Sequence, residues 1–477
     1  MLIGRKEAIR SLEWDMQKEE PQFVAVYGRR RVGKTFLIRT FFKDQFAFYH
    51  TGLRKGSRVE QLTAFRDSLV ASGYRDCPLL PNWMTAFREL LHLVEILPQG
   101  RKVLFIDELP WMDTPRCDLL MALDHFWNAW ASARREKDVF LIICGSAASW
   151  IIRNVVRNTG GLYNRLTDQI HLDPFSLAEC EAFSNDLGLG LTRDEIGEYY
   201  MAFGGVPYYW SMLQPGLSVA ENIDSLFFAP QGKLREEYGF LYASLFRNFD
   251  SHLRIVEALA EKPYGMTRDE ICKATGLAKG GSLKTWLEEL EQCGFVRTSR
   301  YPGKCTKDAM FRLMDNYTLF YHRFIRKNEK DDHEFWMHTL NTPVQNVWRG
   351  LAFERVCLQH VKEIRRALGI SGMLCGTYSW RAKSEDPNLR GAQIDLVIDR
   401  ADKAVNLCEI KYATGKYEID RDYARELVEK CEAFRRETGL GVHGGYRITF
   451  ITAHGLAHNK HWGTVQSELT LDDLFQP

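Results

Sequence analysis

The chain has 477 residues, 45% of them hydrophobic, which is too long for a single core and points to roughly three folded units. Lys and Arg (63) nearly balance Asp and Glu (62), so no whole-chain charge recruits a polyanion, although a local basic surface is allowed. The 11 cysteines include no CxxC pair, the N-terminus is charged where a secretory leader needs an apolar run, and no apolar run reaches the ~18 residues of a membrane span; the expectation is a soluble, cytoplasmic chain with buried thiols and no membrane partner.

From residue 1 to 174, short apolar runs alternate with amphipathic stretches: FVAVY (23–27), FAFYHT (46–51), KVLFID (102–107) and VFLIICG (139–145). Continuous apolar runs separated by helices predict parallel strands buried on both faces. Residues 175–248 lack such runs and place Leu177, Cys180, Phe183 and Leu187 at helical spacing, so a helical unit is expected there. Residues 249–315 read as helices followed by a hairpin, 316–345 as a linker around the charged RKNEKDDHEF, and 346–477 as a further α/β unit.

The first run leads directly into GRRRVGKT (28–35), followed by the amphipathic FLIRTFF. This is the strand, loop and helix of a phosphate-binding loop. Gly28 and Gly33 permit the tight turn, and the backbone from Gly28 through Arg29, Arg30, Arg31 and Val32 to Gly33 points N–H groups at phosphates. Lys34 supplies charge to the β- and γ-phosphates of ATP, and Thr35 offers its hydroxyl to Mg2+. KVLFIDEL sets Asp107 and Glu108 at the tip of a buried strand; Asp107 suits Mg2+ through water, and Glu108 suits orientation or deprotonation of the attacking water. Ser146, at the end of VFLIICGS, is either a γ-phosphate sensor or part of a plain strand-end turn.

These residues resemble the archaeal-type ATPase family, a branch of the AAA+/STAND class. The resemblance extends over the first ~210 residues, in line with the size of one domain plus a lid. Ile3-Gly4-Arg5 resembles the family's element that packs by the base, so the resemblance implies nucleotide-binding roles for Gly4 and Arg5. GGLYNRLTDQIHLDPFS (160–176) resembles the segment carrying a candidate finger arginine, here Arg165; a surface arginine is the alternative. Gly204-Gly205-Val206-Pro207 resembles an element of the family's helical lid, or is simply a turn between helices.

In the middle of the chain, Thr267 with Glu270 forms a capping box, and Leu283, Leu287 and Leu290 share one helix face. FVRTSR and MFRLMD bracket a polar tip, PGKCTKD, which completes the pattern of a winged helix. Lys284 and Thr285 share the opposite face of its second helix with Glu288, Glu289 and Gln292, and acidic groups oppose phosphates, so DNA contact competes with a packing or regulatory role.

The last unit places Glu354 on a helix, Asp395 in QIDLVID, and Glu409 and Lys411 on one face of CEIKY. Asp395, Glu409 and Glu354 suit Mg2+, with Lys411 positioning or activating a water against a phosphodiester. The order Glu, Asp, Glu-x-Lys resembles the PD-(D/E)xK nuclease superfamily, with Ile394 in place of the motif's proline. That resemblance implies DNA or RNA as partner, and a domain of this kind follows the ATPase in many archaeal-type family members. Arg425, Lys430, Arg435 and Arg436 line a predicted helix over 422–439 and are available either to phosphates or to solvent. His454, His458 and His461 have a spacing a metal could use, but no Cys or carboxylate beside them, and are read as structural. The expected fold class is multidomain α/β: a P-loop parallel-sheet NTPase with helical lid, a winged helix and a C-terminal restriction-nuclease-like domain. Two functions fit that architecture, an ATPase controlling Mg2+-dependent cleavage of nucleic acid and a STAND-like ATP switch whose C-terminal domain binds without cutting.

Overall fold

The computed structural model describes residues 2–134, 136–157, 160–162, 164–246, 249–299, 309–382, 392–441 and 444–476. The chain gathers into two compact units, one made of Met1–Pro174 with Leu241–Phe249 and Glu288–Gly294, the other of Phe175–Phe240, Asp250–Leu287 and Phe295–Pro477.

In the first unit, helix α1 (Lys6–Gln17) leads to strand β1 (Gln22–Tyr27), helix α2 (Lys34–Phe41), β2 (Phe48–Thr51), α3 (Arg58–Ala71), α4 (Trp83–Ile96), β3 (Lys102–Asp107), β4 (Val139–Gly145) and β5 (Asp168–His171). The strands form one five-stranded sheet in the order β2-β3-β4-β1-β5, every pairing parallel. Burial on both faces explains the unbroken apolar runs: Phe23, Ala25, Leu104, Ile106, Leu141 and Ile143 enter one core, while Val24, Val26, Phe105, Phe140 and Ile142 enter the other. The edge strand β5, DQIH, was not among the predicted strands; it buries Ile170 alone, so no apolar run announced it. Register pairs Tyr27 with Gly145 and Thr51 with Asp107, bringing the carboxyl ends of β1 to β4 to one edge of the sheet. Ligands of open α/β sheets bind at that edge.

The second unit opens with helices α5 (Leu177–Asp186) and α6 (Arg193–Phe203), each started by a capping box at Ser176 or Thr192. Next come α7 (Asp250–Ala260), β6 (Met266–Thr267), α8 (Arg268–Thr275), α9 (Gly281–Gln292, of which Glu288 onward falls in the first unit), β7 (Val296–Ser299) and β8 (Met310–Leu313). The strands pair antiparallel in the order β6-β8-β7, Thr267 caps α8, and Leu283, Leu287 and Leu290 are buried. The expected polar tip at 302–308 lies outside the described residues.

Residues 316–345 depart from the linker expectation. They contain helices Asn316–Phe320 and Phe335–His338, and Phe320, Phe324 and Trp336 are buried against one another and Trp348. The charged run drew attention away from these aromatics, whose burial makes the segment part of a core.

Helix α10 (Pro343–Gln359) precedes a five-stranded mixed sheet of β9 (Cys375–Arg381), β10 (Gln393–Arg400), β11 (Val405–Lys411), β12 (Tyr446–Thr452) and β13 (Ser467–Leu469), in the order β13-β12-β11-β10-β9. Pairings among β9, β10 and β11 are antiparallel, and those among β11, β12 and β13 parallel. Helix α11 (Arg421–Thr438) makes the crossover between parallel strands β11 and β12, packing Leu427, Cys431 and Phe434 with Val397, Val405 and Leu407.

The Gly-Gly-x-Pro run is a close approach of backbone to backbone. Gly204 ends α6 at φ 69°, Phe175 N donates to the Gly205 carbonyl at 2.7 Å, and a Cβ at Gly205 would overlap the Phe175 carbonyl oxygen. That same oxygen accepts from Tyr200 Oη at 2.9 Å. Gly205→Ala is therefore expected to destabilise the second unit by about 1–3 kcal/mol, read as a lowered melting temperature; an unchanged melt would show that the turn yields.

Candidate functional site

Strand β1 ends where the chain must turn under β5. Gly28 sits at φ 149°, and a Cβ there would overlap the Leu172 carbonyl oxygen, so no side chain fits. Gly33, at φ 91°, starts α2 with open space where its Cβ would be. The helix thus presents its free N–H groups and positive dipole end at the sheet edge. Arg31 also takes a left-handed conformation, at φ 68°, and Arg29 is buried while Arg30 is partly buried. Gly4 and Arg5 turn through φ 65° and 58°. The Arg5 guanidinium then donates to the Asp173 carbonyl at 2.6 Å and the Val32 carbonyl at 2.8 Å, tying the loop to the exit of β5.

Within the loop, Lys34 Nζ donates to the carbonyl oxygens of Gly28 (3.0 Å) and Arg29 (2.9 Å), folding its charge over the turn. Thr35 Oγ1 donates to Asp107 Oδ2 at 2.8 Å, so the two groups suited to Mg2+ already meet. Asp107 Oδ1 accepts from the Glu108 N–H at 2.9 Å. Glu108 is held at φ 47°, a strained conformation for a residue with a Cβ, and its Oε2 accepts from Ser146 N (3.0 Å) and Ser146 Oγ (2.9 Å). Burial raises the Glu108 pKa, opposed by Lys34 and by the Ser146 hydrogen bonds. Ser146 is thus a direct partner of the carboxylate, whichever role it has toward phosphate. Arg165 is exposed, and among the described residues its side chain makes no hydrogen bond to these groups.

A second cluster lies in the other unit. Leu396 pairs with Cys408, so Asp395 and Glu409 are the next residues across β10 and β11. Both carboxylates are buried, and Asp395 Oδ2 accepts from Ile410 N at 3.0 Å. Burial, together with Glu354 and Glu409, pushes Asp395 up to about 7, against the pull of Lys411. Glu354 on α10 thus belongs to the same electrostatic group, but its Oε1 is paired with Arg312 Nη1 at 2.7 Å. Both oxygens of Glu409 are engaged, Oε2 by Lys411 Nζ (3.2 Å) and Tyr423 Oη (2.8 Å), Oε1 by Lys430 Nζ (2.9 Å). Burial pulls the Lys411 and Lys430 pKa down, but the summed attraction of Glu409 with Asp395 for Lys411, and of Glu409 with Glu426 for Lys430, raises both above the ordinary lysine value.

The sequence reading did not assign Arg312, Tyr423 and Lys430 to this cluster. Lys430 was read as facing phosphates or solvent, yet its side chain is 15% exposed and turned onto Glu409. The available signal was the helical spacing that puts Tyr423, Leu427, Lys430 and Phe434 on one face, which the charge pattern of the helix masked. Arg425, Arg435 and Arg436 are exposed, as a solvated face requires.

Among the described residues, no group of three or more His, Cys, Asp or Glu side chains is set to cage a metal. Asp395 and Glu409 are nonetheless hard oxygen donors side by side across two strands, and Mg2+ commonly binds through one or two carboxylates with water completing its shell. The donor set suits that mode of binding. His454 lies 3.9 Å from Asp194 and His458 3.7 Å from Glu468, separate pairs with no shared centre. No helix among the described residues is long and apolar enough to cross a membrane.

Residues 2–213 match the model of a family described as an ATPase domain predominantly from Archaea. An uncharacterized protein of Methanocaldococcus jannaschii is 23% identical over 446 residues, covering 91% of this chain and 92% of that one. An uncharacterized ATP-binding protein of the same organism is 40% identical over 45 residues, 9% of this chain and 76% of its own. Among solved structures, the Walker-type ATPase of Pyrococcus abyssi aligns with 68% of this chain and 96% of its own, at 18% identity and a TM-score of 0.47.

Two substitutions separate the roles at the tips of β3 and β4. Glu108→Gln is expected to keep nucleotide affinity and slow hydrolysis by about 100-fold or more, because only handling of the water's proton is lost. Ser146→Ala is expected to leave turnover unchanged or raised, since it releases the carboxylate; a fall of about tenfold would instead assign Ser146 to phosphate stabilisation. Single-turnover ATP hydrolysis with parallel nucleotide titration distinguishes these outcomes.

Proposed function

We propose that the chain, whose residues 2–213 match the model of a predominantly archaeal ATPase family, binds and hydrolyses ATP with Mg2+ and couples it to a nuclease-like C-terminal site acting on DNA or RNA. The observation that carries the first half is the contact of Thr35 with Asp107, beside Glu108 held by Ser146, at the carboxyl edge of a parallel sheet. In this reading the N–H groups of Gly28 to Gly33 cradle the phosphates, and Lys34 leaves its carbonyl partners for the phosphate oxygens. Thr35 and Asp107 would hold Mg2+, which would offset phosphate charge, and Glu108 would turn from Ser146 to orient and accept a proton from water. Arg165 is kept as the finger candidate, its exposed side chain being free to reach a developing phosphate charge.

At the C-terminal cluster, Asp395 and Glu409 would hold Mg2+, whose charge would polarise a phosphodiester and lower the pKa of a bound water. Lys411, on the Glu409 face, would position that water, while Arg312 keeps Glu354 in the charge balance. The antiparallel β6-β8-β7 sheet with α7, α8 and α9 is read as a winged helix. One observation favours the alternative, a STAND-like switch whose C-terminal domain binds without cutting: Glu354 and Glu409 are already neutralised by this chain's own cations.

Lys34→Ala is expected to abolish ATP binding with an unchanged fold, because the lysine contributes phosphate charge and only two carbonyl contacts. Undiminished ATP affinity would remove the nucleotide assignment. For the second site, purified protein with Mg2+ or Mn2+, with and without ATP, is offered single- and double-stranded DNA and RNA. Cleavage that disappears in Asp395→Asn supports the nuclease reading; tightly held nucleotide, negligible turnover and no cutting select the switch.

A further inference from the structure

We propose that Lys430 is a removable lock on the C-terminal carboxylate pair, holding Glu409 where a divalent cation would bind and retreating to Glu426 when the cation arrives. The proposal rests on the reading of Asp395 and Glu409 as a metal seat, and it names the residue that governs loading of that seat.

The geometry begins with Glu409, which is 4% exposed and has no unengaged oxygen: Lys430 Nζ lies 2.9 Å from Oε1, while Lys411 Nζ and Tyr423 Oη take Oε2 at 3.2 and 2.8 Å. A hard cation at Oε1 would stand at contact distance from the Lys430 ammonium. Like charges in so buried a place cannot share one oxygen, so one of them must leave. Asp395 is differently placed, with Oδ2 held by the Ile410 N–H and Oδ1 reached only by Gln393 Nε2 at 3.4 Å among the described contacts. The seat therefore has one nearly free carboxylate oxygen and one that is guarded.

Of the two lysines on Glu409, Lys430 is the one with an exposed carboxylate to retreat to. Its Nζ is also 3.2 Å from Glu426 Oε1, one turn earlier on α11, and Glu426 is 48% exposed. A rotation about the lysine's own side chain exchanges a buried partner for a solvated one without moving the helix. The second carboxylate that attracts Lys411 is Asp395, itself buried in the seat, so Lys411 has no exposed partner of this kind among the described ion pairs. Tyr423 links the two cations: the Lys411 and Lys430 ammoniums lie 5.4 and 5.6 Å from its ring centroid, so its ring face still partners Lys411 when Lys430 withdraws. Lys430 is thus a positioning residue, acting on the metal through Glu409.

The sign of each effect follows from this exchange. Removing the Lys430 charge frees Oε1 and tightens cation binding; removing Glu426 deprives the displaced ammonium of its resting place and weakens it. The test is titration of Mn2+ into the full chain without nucleotide, following the free-ion signal by electron paramagnetic resonance, in an Asp107→Asn background that silences the ATP site. Lys430→Met is expected to tighten Mn2+ binding by about tenfold or more. Lys430→Arg is expected to keep the parent affinity, and Glu426→Gln to weaken it by about twofold, the exposed pair being the weaker one. Should Lys430→Met fail to fold, Lys430→Gln, which keeps a hydrogen bond to Glu409 without the charge, should give the same tightening. Asp395→Asn added to either should erase the site.

Mn2+ binding that depends on Asp395 but does not tighten in the neutral Lys430 variants overturns the lock and leaves the metal seat standing. Absence of Asp395-dependent binding in every variant overturns the seat, and the lock with it.

Discussion

Taking a carboxylate out of water costs several kcal/mol unless a partner replaces the lost hydration, and both units of this chain are arranged around that constraint. Each sets carboxylates on a buried strand, Asp107 and Glu108 at the end of β3, and Asp395 and Glu409 across β10 and β11. Chemistry on phosphate needs negative groups in such sheltered places, where they act on a cation or a water with little competition from solvent. The protein keeps them there by different means in the two units. Neutral donors serve the first: Thr35 and the Glu108 N–H hold Asp107, and the Ser146 N–H and hydroxyl hold Glu108. Cations serve the second, with Arg312 on Glu354 and two lysines on Glu409.

The difference matters for what each site can do next. A hydroxyl or an N–H gives up a carboxylate at modest cost, since neutral hydrogen bonds contribute little net free energy. Glu108 is therefore poised to turn, and its φ of 47° adds backbone strain that a rearrangement can relieve. An ammonium on a buried carboxylate is harder to displace, because the charge left behind is uncompensated until a replacement arrives. A site held by ammonium groups resists loading until a stronger cation competes for it.

Much of the first unit was legible from residues alone. A P-loop carries its physics in its spelling: Gly28 and Gly33 are there because no Cβ fits or because the backbone is left-handed, and Lys34 and Thr35 follow at the spacing such loops use. Strands buried on both faces announce themselves as unbroken apolar runs. Strand β5 did not, because an edge strand with Asp168 and Gln169 exposed to partial solvent reads as loop. The same blindness applied to β9, whose alternating Tyr378 and Trp380 sit among polar residues, and to the buried aromatics around Trp336, hidden next to a charged run.

The C-terminal cluster shows where spacing stops being informative. Two-residue periodicity placed Glu409 and Lys411 on one face of a strand, and antiparallel pairing brought Asp395 beside them. From that much, a buried set of carboxylates with a single lysine is short of positive charge, and a metal ion is the expected balance. Tertiary structure alters the balance: Arg312 comes from β8 to Glu354, and Lys430 comes from α11 to Glu409. Separation along the chain announces neither contact, and the charge pattern of the helix hides the shared face of Lys430 with Leu427 and Phe434. Neutralisation of Glu354 and Glu409 by this chain's own cations therefore leaves no place for a further cation without exchange. A cation taken up at this pair would enter by exchange, and the residue displaced, rather than the carboxylates alone, would set how readily the site fills.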